Sequence, residues 1–396
     1  PRYLERKEST IPKTFSCLFT YRGSMNEEYG KRTDVKRQKP EISCIVPVRN
    51  GEVYFRECLD SLLVQMFQHK FEASLTASFC KLCIYDDGSE DGIKDIITEY
   101  APLFEAKGIG FVWESGTSSG GVGYAKNRAI DLSSGRFLCF CDADDINLPH
   151  RLAEQYALCL ACEDPENCIV GAEFARFPEN STPRYIEWAC SLAQQQLGLQ
   201  IYTSFGPTLI APTWFLSRAL YDRNGGFDES KRVGFPEDLD FFYRAIRNGA
   251  SLVKLEKRAV MYRYHQNCSS LIVNENTIWQ MRVEEIQRNV LDQLERFTIW
   301  NAGKQGKKFF RSLSIKNQKK VVAMCDVDSR KIALGTFESY DDSLRQVTAS
   351  IPIISYRDCL PPVVLCVKLN MTGGEFERLL SEKQNWCEGL DFFHFN

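Results

Sequence analysis

The acidic run Asp142-Ala143-Asp144-Asp145 is the strongest chemical signal in the chain. It directly follows residues 137–141 (FLCFC), a short apolar run that reads as a buried strand. Three carboxylates at one strand end repel each other unless a cation sits among them. Mg²⁺ and Mn²⁺ take hard oxygen ligands and often share them with substrate phosphates, so Asp142 and Asp144 are candidate ligands. The competing use of the same residues is to cap a helix over residues 148–158.

Other clusters fall in register with it. Asp86-Asp87-Gly88-Ser89, followed by Asp91, ends a second apolar run. Such carboxylates can accept hydrogen bonds from an imide and from ribose hydroxyls, or can simply cap the next helix. Gly120-Gly121-Val122-Gly123 leads into Tyr124, Ala125, Lys126, Asn127 and Arg128. Glycines let the backbone approach a ligand, and helix-start amides with Lys126 and Arg128 attract phosphate. Glu237-Asp238-Leu239-Asp240 stands before an apolar helix at 241–248. Asp238 there suits a general base that takes a proton from an attacking hydroxyl. Tyr262, Arg263, Tyr264 and His265 close the region, and His265 can complete a metal site from a C-terminal loop.

A scaffold must bring these residues together. Residues 42–48 (ISCIVPV), 82–85, 110–113 and 137–141 read as strands, and 52–66, 91–105 and 122–132 as the helices between them. Alternation of this kind predicts right-handed crossovers and a mostly parallel sheet. Ligands of such sheets bind beyond the carboxyl ends of the strands. Asn50, Asp86, Asp87, Asp142, Asp144 and Asp145 all fall at those ends.

Further along, Ile278, Met281, Val283, Ile286, Val290, Leu291, Leu294 and Phe297 predict one long amphipathic helix over 274–297. Strand candidates at 297–301, 320–325 and 362–367 then predict a second, smaller α/β unit. The expected organisation is a basic mobile extension at 1–39, a first unit at 40–273, a bridging helix at 274–297 and a second unit at 298–396. Gly303 and Gly306 follow a strand, with Asp326 and Asp328 after the next, which mimics a dinucleotide fingerprint. Asn301 stands where its first glycine belongs, so a Rossmann-like fold without a bound dinucleotide is expected.

Composition bounds the function classes. The chain has 396 residues, 44% hydrophobic and 26% charged, which excludes a disordered chain, a collagen and a polytopic membrane protein. A formal net charge of −3 excludes a globally basic nucleic-acid coat. Local basic segments exist nonetheless. Residues 301–320 carry Lys304, Lys307, Lys308, Arg311, Lys316, Lys319 and Lys320 with no acidic residue, and Phe309 and Phe310 interleave them. That pattern suits backbone phosphates of RNA, or an ordinary solvated helix face.

Many of the sixteen cysteines lie in apolar strand runs, where cysteine acts as a small hydrophobe, so reduced thiols are expected. Cys80 and Cys83 would point to opposite faces of a strand, and Cys159 and Cys162 lack partners for zinc. No apolar run of about 18 residues occurs, and no signal-peptide core stands at the N-terminus, so a cytoplasmic address is expected.

Pro47 on the first strand, DDGS at 86–89, DxD at 142–144 and ED at 237–238 together resemble the inverting glycosyltransferases of family 2, over residues 41–270. The resemblance implies a GT-A nucleotide-diphospho-sugar transferase domain followed by a smaller Rossmann-like α/β domain. It implies donor contacts from Pro47, Asp86, Asp87, Lys126 and Asp142, with Asp144 and His265 on Mn²⁺ or Mg²⁺ and Asp238 as the base.

The stretches 121–127 (GVGYAKN), 203–214 (TSFGPTLIAPTW), 297–306 (FTIWNAGKQG) and 320–328, with CDVD at its end, are similar to galactosyltransferases that modify queuosine in tRNA. That likeness implies UDP-galactose as donor and queuosine of tRNA-Tyr as acceptor, with Lys304, Lys307, Lys308 and Arg311 against the tRNA. Two rivals stand beside it. One is a UDP-GlcNAc-dependent transferase acting on a glycan. The other is a non-catalytic RNA-binding protein with a vestigial sugar-nucleotide fold, which the retained carboxylates oppose.

Overall fold

Four β-branched residues in seven, ISCIVPV, build strand β1 (Ile42–Val48) at the centre of the larger sheet. Its side chains are buried on both faces, as a parallel strand covered by helices requires. The computed structural model describes residues 41–68, 79–266, 268–341 and 345–396. The basic extension expected at 1–39 lies outside the described residues.

After β1 come α1 (Glu52–Gln68), β2 (Cys80–Asp86), α2 (Ile93–Ala106), β3 (Gly110–Ser115), α3 (Val122–Asp131) and β4 (Phe137–Phe140). β1 to β4 are mutually parallel, as the alternation predicts. The chain then adds β5 (Ile146–Asn147), α4 (Arg151–Leu160), β6 (Cys168–Phe177), α5 (Pro183–Ser191), β7 (Phe215–Ser217), α6 (Arg218–Asn224), α7 (Glu237–Arg247) and β8 (Ser251–Arg263). The strand order is β3-β2-β1-β4-β7-β6-β8-β5. β7 runs antiparallel to both neighbours, and β5 antiparallel to β8, so the sheet is mixed.

Pro47 has a specific place in this sheet. Odd-numbered residues of β1 face β4, since Phe137 N–H donates to Glu41 O and Cys141 N–H to Ile45 O. Pro47 is next in that series, beyond the last β1–β4 pair, Ile45 with Phe140. A proline there deprives β4 of no donor. The ladder ends at this point, and Asp142 begins one residue further on.

Beyond β8 stands α8 (Glu275–Ile286), which continues as a π turn at Gln287–Leu291. The single helix predicted over 274–297 is therefore shorter. The π turn brings Val290 and Leu291 into the core, Lys320 Nζ caps the carbonyls of Leu291 and Asp292, and Phe297 already belongs to a strand.

The second sheet contains β9 (Phe297–Trp300), β10 (Val321–Asp326), β11 (Thr336–Asp341), β12 (Gln346–Ser355), β13 (Val363–Leu365) and β14 (Phe392–His394), in the order β11-β12-β10-β9-β13-β14. All its pairings are parallel except β11 with β12. Helix α9 (Lys304–Ser312) packs closely on it, since a Cβ on Gly306 would lie 1.8 Å from Asn301 O.

The described residues form one compact unit, and one apolar cluster contains residues of both sheets, from Ile45 and Phe140 through Trp279 and Ile286 to Ile299 and Phe393. Among the described residues every cysteine is a free thiol, and no helix is long and apolar enough to cross a membrane.

Candidate functional site

Two buried arginines clamp the backbone around the DxD turn. From α4, Arg151 donates through Nη2 to Phe140 O at 2.7 Å and through Nε to Gln155 Oε1 at 2.9 Å. From the end of β8, Arg263 gives Nε to Asp144 O at 2.8 Å, Nη2 to Glu57 Oε2 at 2.8 Å and its backbone N–H to Asp145 Oδ1 at 2.8 Å. The turn itself closes by Asp145 N–H to Asp142 O at 3.2 Å. The clamps leave the carboxylates of Asp142 and Asp144 for other work. Arg151 carried no sequence signal, and Arg263 stands in the Tyr262–His265 run, where its clamping of the turn shows only once β8 is in place.

Oxygen atoms of Asp142, Asp144 and Asp145 lie within 4.8 Å of one another, and so do ligand atoms of Asp144, His265 and Cys268. His265 Nε2 stands 2.8 Å from Asp144 Oδ2. Asp145 Oδ2 is buried and has no hydrogen-bond partner. Burial pushes Asp142 up to about 6, Lys126 pulls it down, and Asp144 pushes it up again. Burial and the two neighbouring aspartates hold Asp145 well above the usual carboxylate range. Crowded hard oxygens, one of them orphaned, with an imidazole alongside fit Mn²⁺ or Mg²⁺. Cys268 is a soft ligand that hard cations do not select, and its Sγ accepts from His265 N–H at 3.2 Å and donates to Arg263 O at 3.8 Å.

Asp86 and Asp87 are both buried, and their carboxylates organise a loop. Asp86 accepts from Ser89 N–H at 2.9 Å and from Ser115 Oγ at 2.7 Å. Asp87 accepts from Ser119 Oγ at 2.6 Å, Gly120 N–H at 2.8 Å and Gly121 N–H at 3.0 Å. Gly121 has φ +97°, and a Cβ there would meet Arg232 O at 2.4 Å, so only glycine fits. The two aspartates thus shape the glycine loop that opens α3.

Lys126 on α3 does not present its ammonium to solvent. It is 4% exposed, pairs with Glu237 Oε1 at 2.8 Å and lies 5.2 Å from the Phe227 ring centroid. Burial opposes its charge, but Glu237, Asp142 and Asp238 together raise its pKa above the ordinary lysine value. Glu237 and Asp238 belong to the first turn of α7 rather than preceding the helix. Burial, and then Glu237, push Asp238 up to about 6. Asp142, Lys126, Glu237 and Asp238 are all within electrostatic reach of one another, so β4, α3 and α7 meet at one point.

The basic segment divides. Lys304, Lys308 and Arg311 are exposed on α9, and Lys307 is half-buried. Phe309 and Phe310 are both 0% exposed, with Phe309 4.4 Å from Phe395 and Phe310 5.7 Å from Phe337. The expectation that these rings interleave an RNA surface is therefore corrected, because they are core. The cations of α9 stack on two further core rings: Lys308 Nζ lies 3.9 Å from the Trp279 ring and Arg311 5.4 Å from Phe337, and both rings are buried.

Residues 43–223 match the family model described as "Glycosyl transferase family 2". Similar proteins include an uncharacterized glycosyltransferase, RP339, of Rickettsia prowazekii (strain Madrid E), 23% identical over 52% of this chain and 59% of that one. Another is the uncharacterized glycosyltransferase EpsJ of Bacillus subtilis (strain 168), 28% identical over 58% of this chain and 62% of that one. The chain thus spans about three fifths of these two relatives.

Among solved structures, S. aureus TarS 1–349 in complex with UDP-GlcNAc aligns at 20% identity and TM-score 0.47, over 70% of this chain and 71% of that one. The family match covers somewhat under half of the chain, so residues 43–223 are similar to family 2 glycosyl transferases, and a second α/β sheet follows them.

Proposed function

We propose that the protein is a metal-dependent inverting galactosyltransferase that moves galactose from UDP-galactose to queuosine in the anticodon of cytosolic tRNA-Tyr. The observation that supports a transferase centre most directly is the meeting of Asp142, Lys126, Glu237 and Asp238 at the carboxyl edge of the sheet. In this reading Pro47, Asp86, Asp87 and Lys126 shape the donor pocket, directly or through the glycine loop. Asp142 faces the diphosphate, and Asp144 and His265 hold Mn²⁺ or Mg²⁺. That ion, when bound, acts as a Lewis acid toward the leaving diphosphate.

Asp238 takes the proton from an acceptor hydroxyl. The hydroxyl oxygen attacks the anomeric carbon on the face opposite UDP, and the bond from that carbon to the diphosphate oxygen breaks as UDP leaves with the electron pair. Residues 40–273 form the catalytic unit here, 298–396 the accessory unit, and 274–297 the link. Lys304, Lys307, Lys308 and Arg311 meet tRNA phosphates.

The test incubates the protein with UDP-galactose, Mn²⁺ and queuosine-containing tRNA-Tyr, and reads the nucleosides by mass spectrometry. A hexose added to queuosine is expected. UDP release with no change in the tRNA would leave the transferase standing and remove this acceptor. UDP-GlcNAc with oligosaccharide acceptors is the parallel arm for the glycan rival, and UDP-glucose is added to it because one relative, from Bacillus spizizenii, is named a poly(ribitol-phosphate) beta-glucosyltransferase and is 36% identical over 106 residues.

Changing Lys304, Lys307, Lys308 and Arg311 together to Glu should weaken tRNA binding and flatten its salt dependence. Each cation–phosphate pairing removed should lower the slope of log K against log salt by about 0.7–0.9. UDP release without tRNA should not change. Filter binding at several salt concentrations reads the slope, and an unchanged slope would make the patch a solvated face.

A further inference from the structure

Arginines 151, 176, 263 and 282 are the buried guanidinium groups of the described residues. Three of them have acceptors. Arg151 holds Phe140 O, Arg263 holds Asp144 O, and Arg282 holds Tyr202 O at 2.9 Å. Arg176, on β6 and 7% exposed, makes neither a hydrogen bond nor an ion pair among the described residues, and its Nε is a buried donor without a partner. Burying an unpaired cation costs folding free energy unless something compensates it.

Aromatic faces supply only part of that compensation. The Arg176 guanidinium lies 3.8 Å from the Tyr262 ring, 5.4 Å from Tyr264, 5.6 Å from Tyr185 and 5.9 Å from Phe174. Arg176 and Tyr262 are register partners on adjacent strands β6 and β8. Ring faces hold the guanidinium in place but cannot accept the in-plane hydrogen bonds of its fork.

Position says which substrate this fork meets. The loops that shape the donor pocket follow β2 and β3, whereas β6 lies on the other side of β4, beyond β7. Tyr185 on α5 is within electrostatic reach of both Arg176 and Asp238, the group that would deprotonate the acceptor. Tyr262 likewise feels Arg176 and Asp142.

We infer that Arg176 with Tyr262, Tyr264 and Tyr185 is an acceptor subsite, in which the guanidinium fork bonds two adjacent ring hydroxyls while the apolar face of that ring lies on tyrosine. This rests on the glycosyl-transfer reading above, and it names the acceptor class as a ring bearing a vicinal diol, whether cyclopentene or sugar. The hydroxyl that reacts is the one nearer Asp238.

The test compares Arg176→Met and Arg176→Lys with the wild type, using the full chain. Removing an unpaired buried cation should leave the melting temperature of the free Met variant equal or higher. UDP release from UDP-galactose without acceptor should stay within twofold. With queuosine tRNA-Tyr the acceptor KM should rise about 10- to 100-fold in the Met variant, the usual worth of a lost charged hydrogen-bond pair, and less in the Lys variant.

A melting temperature that drops by several degrees together with slower UDP release would make Arg176 a structural pin and overturn the subsite. An unchanged acceptor KM would do the same. If the wild type modifies an oligosaccharide and not the tRNA, the queuosine reading fails while the KM comparison is made on that oligosaccharide. If neither acceptor reacts, the melting comparison alone decides for or against the unpaired-cation argument.

Discussion

Asp238→Asn should lower kcat by about 10²–10⁴-fold, the range general-base catalysis supplies. That corresponds to about 3–5 kcal/mol of transition-state stabilisation. The amide keeps the size of the carboxylate and can still accept from Leu239 N–H, which the carboxylate does at 2.7 Å, so the first turn of α7 should survive. UDP binding should be preserved, because the base faces the acceptor hydroxyl rather than the nucleotide.

The wild-type pH profile follows from the same group. Burial pushes Asp238 up to about 6, so below that pH it is protonated and cannot take a second proton. Activity should therefore rise with pH through about 6 and then level. Asp238→Asn should lose that limb as well as the rate. A kcat within threefold of wild type would move the base to Glu237 or Asp240. Glu237 is already engaged by Lys126 and Asp240 by Arg244 at 2.7 Å, and that is the physical reason for preferring Asp238.

The parts of the site that were legible in the sequence are those in which one residue type does one job at a strand end. The first four strands are short apolar runs separated by helices, and their ends carry Asp86, Asp87 and Asp142 as the pattern requires. The strands that complete the sheet were not legible. β5 and β7 have only two and three residues, and β8 mixes Lys254, Glu256, Lys257 and Arg258 with its apolar positions. Their register depends on partners far away in sequence.

The same reason hid Arg151 and Arg176, and the clamping role of Arg263, which are visible only once β4, β7, β6 and β8 form one sheet. Lys126 and the two phenylalanines of α9 show how far a residue type alone can be read. A cation beside glycines reads as a phosphate ligand, and aromatic residues among lysines read as an RNA surface. The fold turns the first toward Glu237 and buries the other two. Charge and aromaticity can be read from composition, but exposure depends on what packs against the element.

Asp144→Asn should nearly abolish transfer and leave the fold intact. The side chain sits at a strand end with its backbone held independently by Arg263, so its carboxylate charge can be removed without unpinning the turn. Relief of repulsion with Asp142 and Asp145 should keep the ion-free variant at least as stable as the wild type near neutral pH, since Asp144 is among the groups that push both neighbours up.

Ligand linkage then separates an ion site from a mere charge cluster. An ion at 100 times its Kd stabilises the folded state by about 2.7 kcal/mol. At about 1–2 °C per kcal/mol for a unit of this size, Mn²⁺ should raise the wild-type melting temperature by about 3–5 °C. Asp144→Asn should show little of that rise, because one of the hard oxygen ligands carries no charge. EDTA should reverse the rise in the wild type and stop UDP release with it. Full activity in saturating EDTA would remove the ion from the site, and the carboxylates would then need their partners among the cations of the chain, Lys126 for Asp142 and Arg176 for Asp145.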